Sequence, residues 1–289
     1  MEAHGTSNLR MWTHQPEVAF PMGTPHTQPY WNKAAETYDQ EFTNTLIGRA
    51  ERDAVWEELE RVFHAGQRIV ELNCGTGVDA VHLAESGVRV LACDIAPGMI
   101  AVARRHLSAS VQADRVDLRV LSTEEIAALR EEGPFDGAFS NFAGLNMVED
   151  LSGVARNLGA LLKPGASALL CLSGRIAPWD MAWYLAHGKP TKAFQRFKSG
   201  GVERLVDGVR VNIHYPSIRK MVRMFAPEFR LRSCRGIGIS LPPAFSEPWA
   251  RRYPRLLAGL ARVDRRLGRV PGLRAMAGHV LLRFERAGG

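Results

Sequence analysis

Two spacings of apolar residues alternate along the middle of this chain. Short, nearly continuous runs at residues 69–72, 88–94, 117–121, 135–140 and 168–172 have the length and composition of strands buried on both faces. Between them apolar positions recur at three- and four-residue steps: Val78, Val81 and Leu83 ahead of Gly87, then Met99 and Ile100 on to His106, then Leu151, Val154, Leu158 and Leu161 within 148–162. An amphipathic helix over 49–64, with Ala54, Val55, Leu59, Val62 and Phe63 on one side and acids on the other, precedes the first strand; ahead of it Asn32 is placed to cap a helix of its own segment, and after the third strand Ser122, Thr123, Glu124 and Glu125 start another helix in capping-box style. Strands alternating with helices of this length predict an α/β domain wound around a parallel sheet.

Past Ser173 the alternation stops. Residues 175–208 hold Trp179, Met181, Trp183, Tyr184, Phe194 and Phe197 among lysines and glycines. An insertion at this edge reads as a lid or substrate wall, or as a helical pair that dimerises or packs on the sheet. Residues 209–215 alternate and should pair with 202–206 across Asp207 and Gly208; Ser217 should cap a helix ending at Phe225, and 229–239 and 280–285 read as closing strands. Trp249 to Val270 reads as one helix in which Leu256, Leu257, Leu260, Val263 and Leu267 face Arg251, Arg252, Arg255, Arg262, Arg265, Arg266 and Arg269. Four parts follow: a flexible arm over 1–29, a core over 30–173, lid and acceptor-site insertions interleaved with late strands over 174–277, and a closing strand and tail over 278–289.

Charge changes the picture only in the last third. The net charge of +7 divides into 19 basic against 25 acidic residues up to Glu203, and 18 against five from Arg204 onward. Such a balance favours anionic partners. With no nucleic-acid-binding motif, nucleic acid is not expected as a partner, whereas peripheral contact with a membrane is retained as a reading, as is a homodimer. No apolar run approaches the length of a membrane span, and a cytoplasmic location is expected. Cys74, Cys93, Cys171 and Cys234 are widely spaced and read as reduced core thiols, so no metal centre is expected.

The candidate chemistry sits where the first strand ends. Asn73, Cys74, Gly75, Thr76 and Gly77 form a tight turn into a helix, and the next strand ends on Asp94, a carboxylate placed to accept hydrogen bonds from ribose hydroxyls. Residues 75–80 fit the GxGxxA form of a dinucleotide fingerprint, which admits a nicotinamide-dependent oxidoreductase. In an open parallel sheet the carboxyl ends of the strands bring Asn73, Asp94, Ser122 and Asn141 to one crevice.

The wider stretches ELNCGTG from Glu71, DIAPGMIAVARRH from Asp94, FDGAFSN to Asn141 and LLKPGASALLCL to Leu172 resemble the class I S-adenosylmethionine (SAM)-dependent methyltransferases. The resemblance covers about residues 30–173. It implies a Rossmann-like, mostly parallel seven-stranded sheet with helices on both faces, finishing in an antiparallel pair, plus the C-terminal lid. It further implies transfer of a methyl group from SAM to a small-molecule acceptor, hydrophobic or anionic, with S-adenosylhomocysteine (SAH) as product; the loop after Asn141 lacks the Pro-Pro-aromatic pattern of enzymes that methylate adenine in nucleic acid.

As cofactor-binding residues the resemblance points to Tyr38 in an N-terminal W-x-x-x-A-x-x-Y segment with Trp31 and Ala35, to Glu71, Asn73, Cys74, Gly75 and Gly77 around the methionine portion, to Asp94 at the ribose, and to Ile95, Met99, Ser122, Thr123, Glu124, Asn141 and Phe142 around the rest. Asn73 stands where the family often has glycine, and Asn tolerates the left-handed conformation such a turn needs. Asn146, Trp179 and Tyr215 are candidates for the acceptor side, and His214 for a general base. Besides the oxidoreductase, a SAM-dependent enzyme of non-methylating chemistry and a non-catalytic SAM-binding protein share these features.

Overall fold

The computed structural model describes residues 27–206 and 209–288, so most of the N-terminal arm expected over 1–29 lies outside the described residues. Among the described residues two helices precede the sheet, α1 (Gln28–Ala34) and α2 (Leu46–Val62), joined by a π-helical turn at Asp39–Thr43. The core then runs β1 (Arg68–Leu72), α3 (Val78–Glu85), β2 (Arg89–Asp94), α4 (Pro97–Ser108), β3 (Val116–Val120), a 3₁₀ stretch Thr123–Glu132, β4 (Phe135–Ser140), α5 (Leu151–Leu161) and β5 (Leu162–Ser173). Next come the short helices α6 (Pro178–Ala186) and α7 (Pro190–Ala193) and the hairpin β6 (Val202–Val206) and β7 (Val209–Ile213). The chain closes through α8 (Ile218–Phe225), β8 (Phe229–Ile237), α9 (Glu247–Arg252), α10 (Pro254–Leu267) and β9 (His279–Arg286).

The seven-stranded sheet has the order β3-β2-β1-β4-β5-β9-β8, parallel from β3 to β5 and antiparallel at β9. This is the mostly parallel architecture with an antiparallel finish that the sequence predicts. Its strands are apolar on both faces because both faces are covered. Val70, Leu72, Leu91, Ala138, Leu170 and Phe284 pack with α5 and α8 on one side, and Ile69, Val90, Ala92, Phe139, Cys171 and Leu281 pack with α2 and α3 on the other. The order reverses between β1 and β4, which places a ligand crevice outside their carboxyl ends. All four cysteines are free and buried, and burial pushes the thiols of Cys93 and Cys171 up to about 12. No helix of the described residues is long and apolar enough to cross a membrane.

Four local expectations are corrected. The predicted helix over 249–270 is two helices, because Pro254 supplies no amide to continue α9 and drives Tyr253 out of helical geometry (φ −129°, ψ 56°). The helix predicted from Val148 begins at Leu151, where Asp150 accepts the Gly153 amide as its cap. Ser122 makes no side-chain cap; its hydroxyl donates to Glu125 Oε2 at 3.0 Å, and the segment it opens is 3₁₀ rather than α. Asn32, read as a cap of its own segment, lies inside α1 and accepts the Gly98 amide at 2.7 Å, so it caps α4 from a neighbouring element.

The C-terminal third is tied to α2. Both carboxyl oxygens of the buried Glu247 accept amides at the start of α2, from Leu46 (3.0 Å) and Ile47 (3.3 Å), and Ile47 packs with Leu241, Ala250, Leu257 and Ala261. An acid at a helix N-terminus is stabilising there.

Candidate active site

The turn from β1 to α3 is built from left-handed residues. Asn73 (φ 54°), Gly75 (φ 54°) and Gly77 (φ 75°) reverse the chain within five positions. The two glycines answer different demands. A Cβ on Gly77 would stand 2.7 Å from Ala103 Cβ, so the turn rests directly on α4, whereas a Cβ on Gly75 would meet nothing within 4 Å, leaving open space above the main chain. Asn73 takes the conformation expected of it, and its Oδ1 accepts the Ser140 hydroxyl at 3.2 Å across the β1–β4 switch point. Asn73→Ala should lower stability by about 1 kcal/mol, and Asn73→Gly by less, in urea denaturation, because alanine resists the left-handed region; equal losses in both would show that the Ser140 bond, not backbone conformation, matters.

Asp94 closes this turn from below. Its Oδ2 accepts the Gly75 amide and its Oδ1 the Ala96 amide, each at 2.9 Å. Burial pushes its carboxyl upward and these two bonds oppose the shift. Each oxygen retains acceptor capacity toward the crevice.

A buried charge cluster lies beside the turn. Glu71, on β1 and 1% exposed, has an Oε2 with no hydrogen-bond partner, and burial followed by the neighbouring Asp79 holds its carboxyl well above the usual range. Asp79, in the first turn of α3, accepts Arg52 Nη1 (2.6 Å), Trp56 Nε1 (2.7 Å) and Asn141 Nδ2 (2.9 Å). Burial alone would raise its carboxyl, but the Arg52 charge and these bonds bring it below the ordinary value. The Arg52 guanidinium lies 4.9 Å from the Phe142 ring centre and 5.9 Å from that of Phe42. Phe142 and Ala143 are both left-handed (φ 42° and 68°), so this packing braces a loop that sterics alone would not hold. Tyr38, whose ring meets Phe42 at 5.8 Å, has its phenol pushed up to about 12 by burial, against the pull of Arg52.

The N-terminal segment is fastened over the turn. Thr76 Oγ1 donates to Asp39 Oδ1 at 2.8 Å, and His106 reaches Asp39 Oδ2 at 3.1 Å with one ring nitrogen and the Thr76 carbonyl at 2.8 Å with the other. Trp31, Ala34, Tyr38 and Ile95 pack on buried Ala35, Ala96, Met99 and Val102, seating α1 on α4.

The remaining sequence candidates divide. Cys74, Ser122, Thr123 and Asn141 are buried at the strand ends, while Glu124 is exposed. Asn146, proposed for the acceptor, is fully buried: its Nδ2 donates to His214 O (2.6 Å) and Ser173 O (3.4 Å) and its Oδ1 accepts the Ser173 amide (2.8 Å). That makes it a staple between the end of β5 and the exit of β7 rather than a group facing a ligand. Trp179 is half-exposed and donates to Ile239 O at 3.1 Å; Tyr215 is buried under the Arg196 guanidinium; the His214 ring lies 3.4 Å from Asn212 Nδ2. Sequence reading missed the Arg52–Asp79 pair. A charged residue at a core position of α2, in step with Val55 and Leu59, was the available signal.

Residues 69–165 match the model of a methyltransferase domain. Over 116 residues the chain is 39% identical to the ubiquinone biosynthesis O-methyltransferase of Xanthomonas oryzae pv. oryzae, which covers 40% of this chain and 46% of that protein. The chain thus aligns with about half the length of the curated relatives it matches. Among solved structures, the CcbJ methyltransferase from Streptomyces caelestis superposes with a TM-score of 0.59 at 15% identity, covering 91% of this chain and 99% of the other. The S-adenosylmethionine dependent methyltransferase from Mesorhizobium loti gives 0.52 at 19% identity, covering 81% and 98%. At these identities the structures establish the fold, a Rossmann-like one shared with solved methyltransferases, and residues 69–165 carry the match to a methyltransferase domain.

Proposed function

We propose that this protein binds SAM in the crevice outside β1, β2 and β4 and transfers its methyl group to a small-molecule acceptor, releasing SAH. The observation that carries the reading is the unpartnered, buried carboxyl oxygen of Glu71 beside an open glycine turn that Asp94 underpins. These groups fit SAM end to end. Glu71 would take the ammonium of the methionine portion, Gly75 would let its carboxylate approach the main chain, and Asp94 would accept the ribose hydroxyls. Ile95 and Met99 would form an apolar shoulder for adenine, with Thr123 offering its amide. When bound, SAM supplies a methyl group on a cationic sulfonium that departs as a neutral thioether, so alignment and exclusion of water do most of the catalytic work. Tyr38, Phe42 and Phe142 would exclude that water, and the loop braced by Arg52 would hold the acceptor side in register. The Xanthomonas relative is an O-methyltransferase, which makes a hydroxyl the first acceptor class to assay, with His214 the candidate to remove its proton.

Calorimetric titration with SAM, SAH and NADH tests the reading. Binding of SAM and SAH that weakens in Glu71→Gln supports it. NADH carries no ammonium for Glu71, so binding of NADH alone, indifferent to that substitution, would replace it with an oxidoreductase.

Glu71 also gives a pH signature. Its folded pKa is raised, so it favours the folded state only while protonated, and that contribution is lost as pH rises from the unfolded value through the folded one. An arriving ammonium reverses the preference and expels the proton. In mildly acidic solution the apparent binding enthalpy of SAM should therefore differ between buffers of different ionisation enthalpy, and the difference should vanish in Glu71→Gln. Identical enthalpies in the parent protein would show Glu71 already ionised and the ammonium elsewhere.

A further inference from the structure

Ten of the twelve exposed large apolar side chains among the described residues lie between Trp179 and Met276, six of them past Arg204, in the stretch that also carries the excess of arginine. α10 brings the two together. Its inward side holds Leu257, Ala261 and Asp264, and Asp264, the only acid of the helix, is buried, accepting the amides of Gly238, Ile239 and Ser240. The outward side is left without negative charge. Leu256 and Val263 stand within about 20° of each other on the helix, and Arg266, Arg255 and Arg262, counting on from Leu256, fall within the next roughly 120°. Arg255, Arg262 and Arg266 are exposed and have no ion-pair partner among the described residues, in contrast to Arg251 with Glu247 (3.0 Å) and Arg265 with Glu57 (2.5 Å).

The lid adjoins this helix pair. The Trp183 ring lies 5.5 Å from that of Phe245, just before α9, and Trp179 is bonded to Ile239. The lid adds exposed Trp179, Leu185, Phe194 and Phe197 to the apolar side chains that α10 leaves in water. Arginines alone would serve any polyanion. Leucine, valine and aromatic side chains left in water beside them gain from hydrocarbon and gain little from a phosphate backbone.

We propose that the outer face of α10 and the adjoining lid aromatics form a docking surface for an anionic lipid bilayer. The docking itself does not depend on the methyl-transfer reading. Taken with it, the acceptor class becomes an apolar molecule dissolved in that bilayer, which would enter the crevice beneath the lid without crossing water.

The test is co-sedimentation of the full chain with vesicles of phosphatidylcholine alone and of phosphatidylcholine mixed with phosphatidylglycerol. The parent protein should bind the mixed vesicles, less as salt rises. The triple variant Arg255→Glu/Arg262→Glu/Arg266→Glu should bind roughly a hundredfold more weakly, or worse, given the worth of each basic residue at an anionic surface. Leu256→Ser/Val263→Ser should lose the part of the binding that survives high salt. All five side chains are exposed, so thermal melts matching the parent would confirm folding. Absence of binding, equal binding to both vesicle types, binding unchanged in the triple variant, or tighter capture by duplex DNA than by the mixed vesicles would each overturn the proposal.

Discussion

Arg52→Leu should cost about 3–5 kcal/mol of stability, a large share of what a domain of this size possesses. The loss comes from what remains. Asp79 is 3% exposed and would keep its bonds to Trp56 and Asn141 but lose the only cation that touches it among the described residues. The pH dependence fixes the sign. In the parent protein the carboxyl of Asp79 lies below its ordinary value, so its stabilisation is present above the unfolded pKa and is lost as acid carries the pH down through the folded one. Without Arg52 the same carboxyl would be raised by burial, and the variant should become more stable, relative to its own value at neutral pH, as the solution is acidified. Urea denaturation at neutral and mildly acidic pH measures both effects. Arg52→Leu/Asp79→Leu should recover part of the loss, since removing both charges leaves none unpaired. A loss below about 1 kcal/mol in the single variant would mean that water reaches the cluster and relieves it.

That pair also shows where the chain could be read and where it could not. The glycine turn, the left-handed Asn73 and the carboxylate at the end of β2 were legible because each is set by a few neighbouring residues: a strand must stop, a turn must form, and a ligand must approach the main chain. The hairpin of β6 and β7 and the Ser217 cap, whose hydroxyl accepts the Lys220 amide, were legible for the same reason. Arg52 and Asp79 lie 27 positions apart, on two helices whose packing against one sheet face brings them together. Asn32 and Asn146 make the same point. Each looked like a local cap or a ligand contact, yet each satisfies main-chain groups that tertiary packing delivers, Gly98 in one case and Ser173 with His214 in the other. Polar side chains of this kind are chosen by buried amides and carbonyls that no local pattern announces. Pro254, by contrast, was in plain view, and its effect on the residue before it was sufficient to divide the helix.

Asp94→Ala should raise the dissociation constants of SAM and SAH by about a hundredfold or more, since two hydrogen bonds to a charged acceptor, each worth about 1.5–3 kcal/mol, would disappear together. The same change orphans the Gly75 and Ala96 amides, so the turn itself should loosen and the protein lose some stability with no ligand present. Asp94→Asn separates the two contributions. An asparagine retains one oxygen for a backbone amide but turns an NH₂ toward the other, so half of the turn is kept while the charge is gone. Affinity should then fall by about tenfold, the cost of one charge-assisted bond, with most of the stability retained. Comparing the two variants with Glu71→Gln locates the cofactor along the crevice. Adenosine, which has the ribose without the ammonium, should be weakened by both changes at Asp94 and left untouched at Glu71. Should adenosine binding instead depend on Glu71 and ignore Asp94, the nucleoside would lie at the opposite end of the turn, and the orientation proposed for SAM would be reversed.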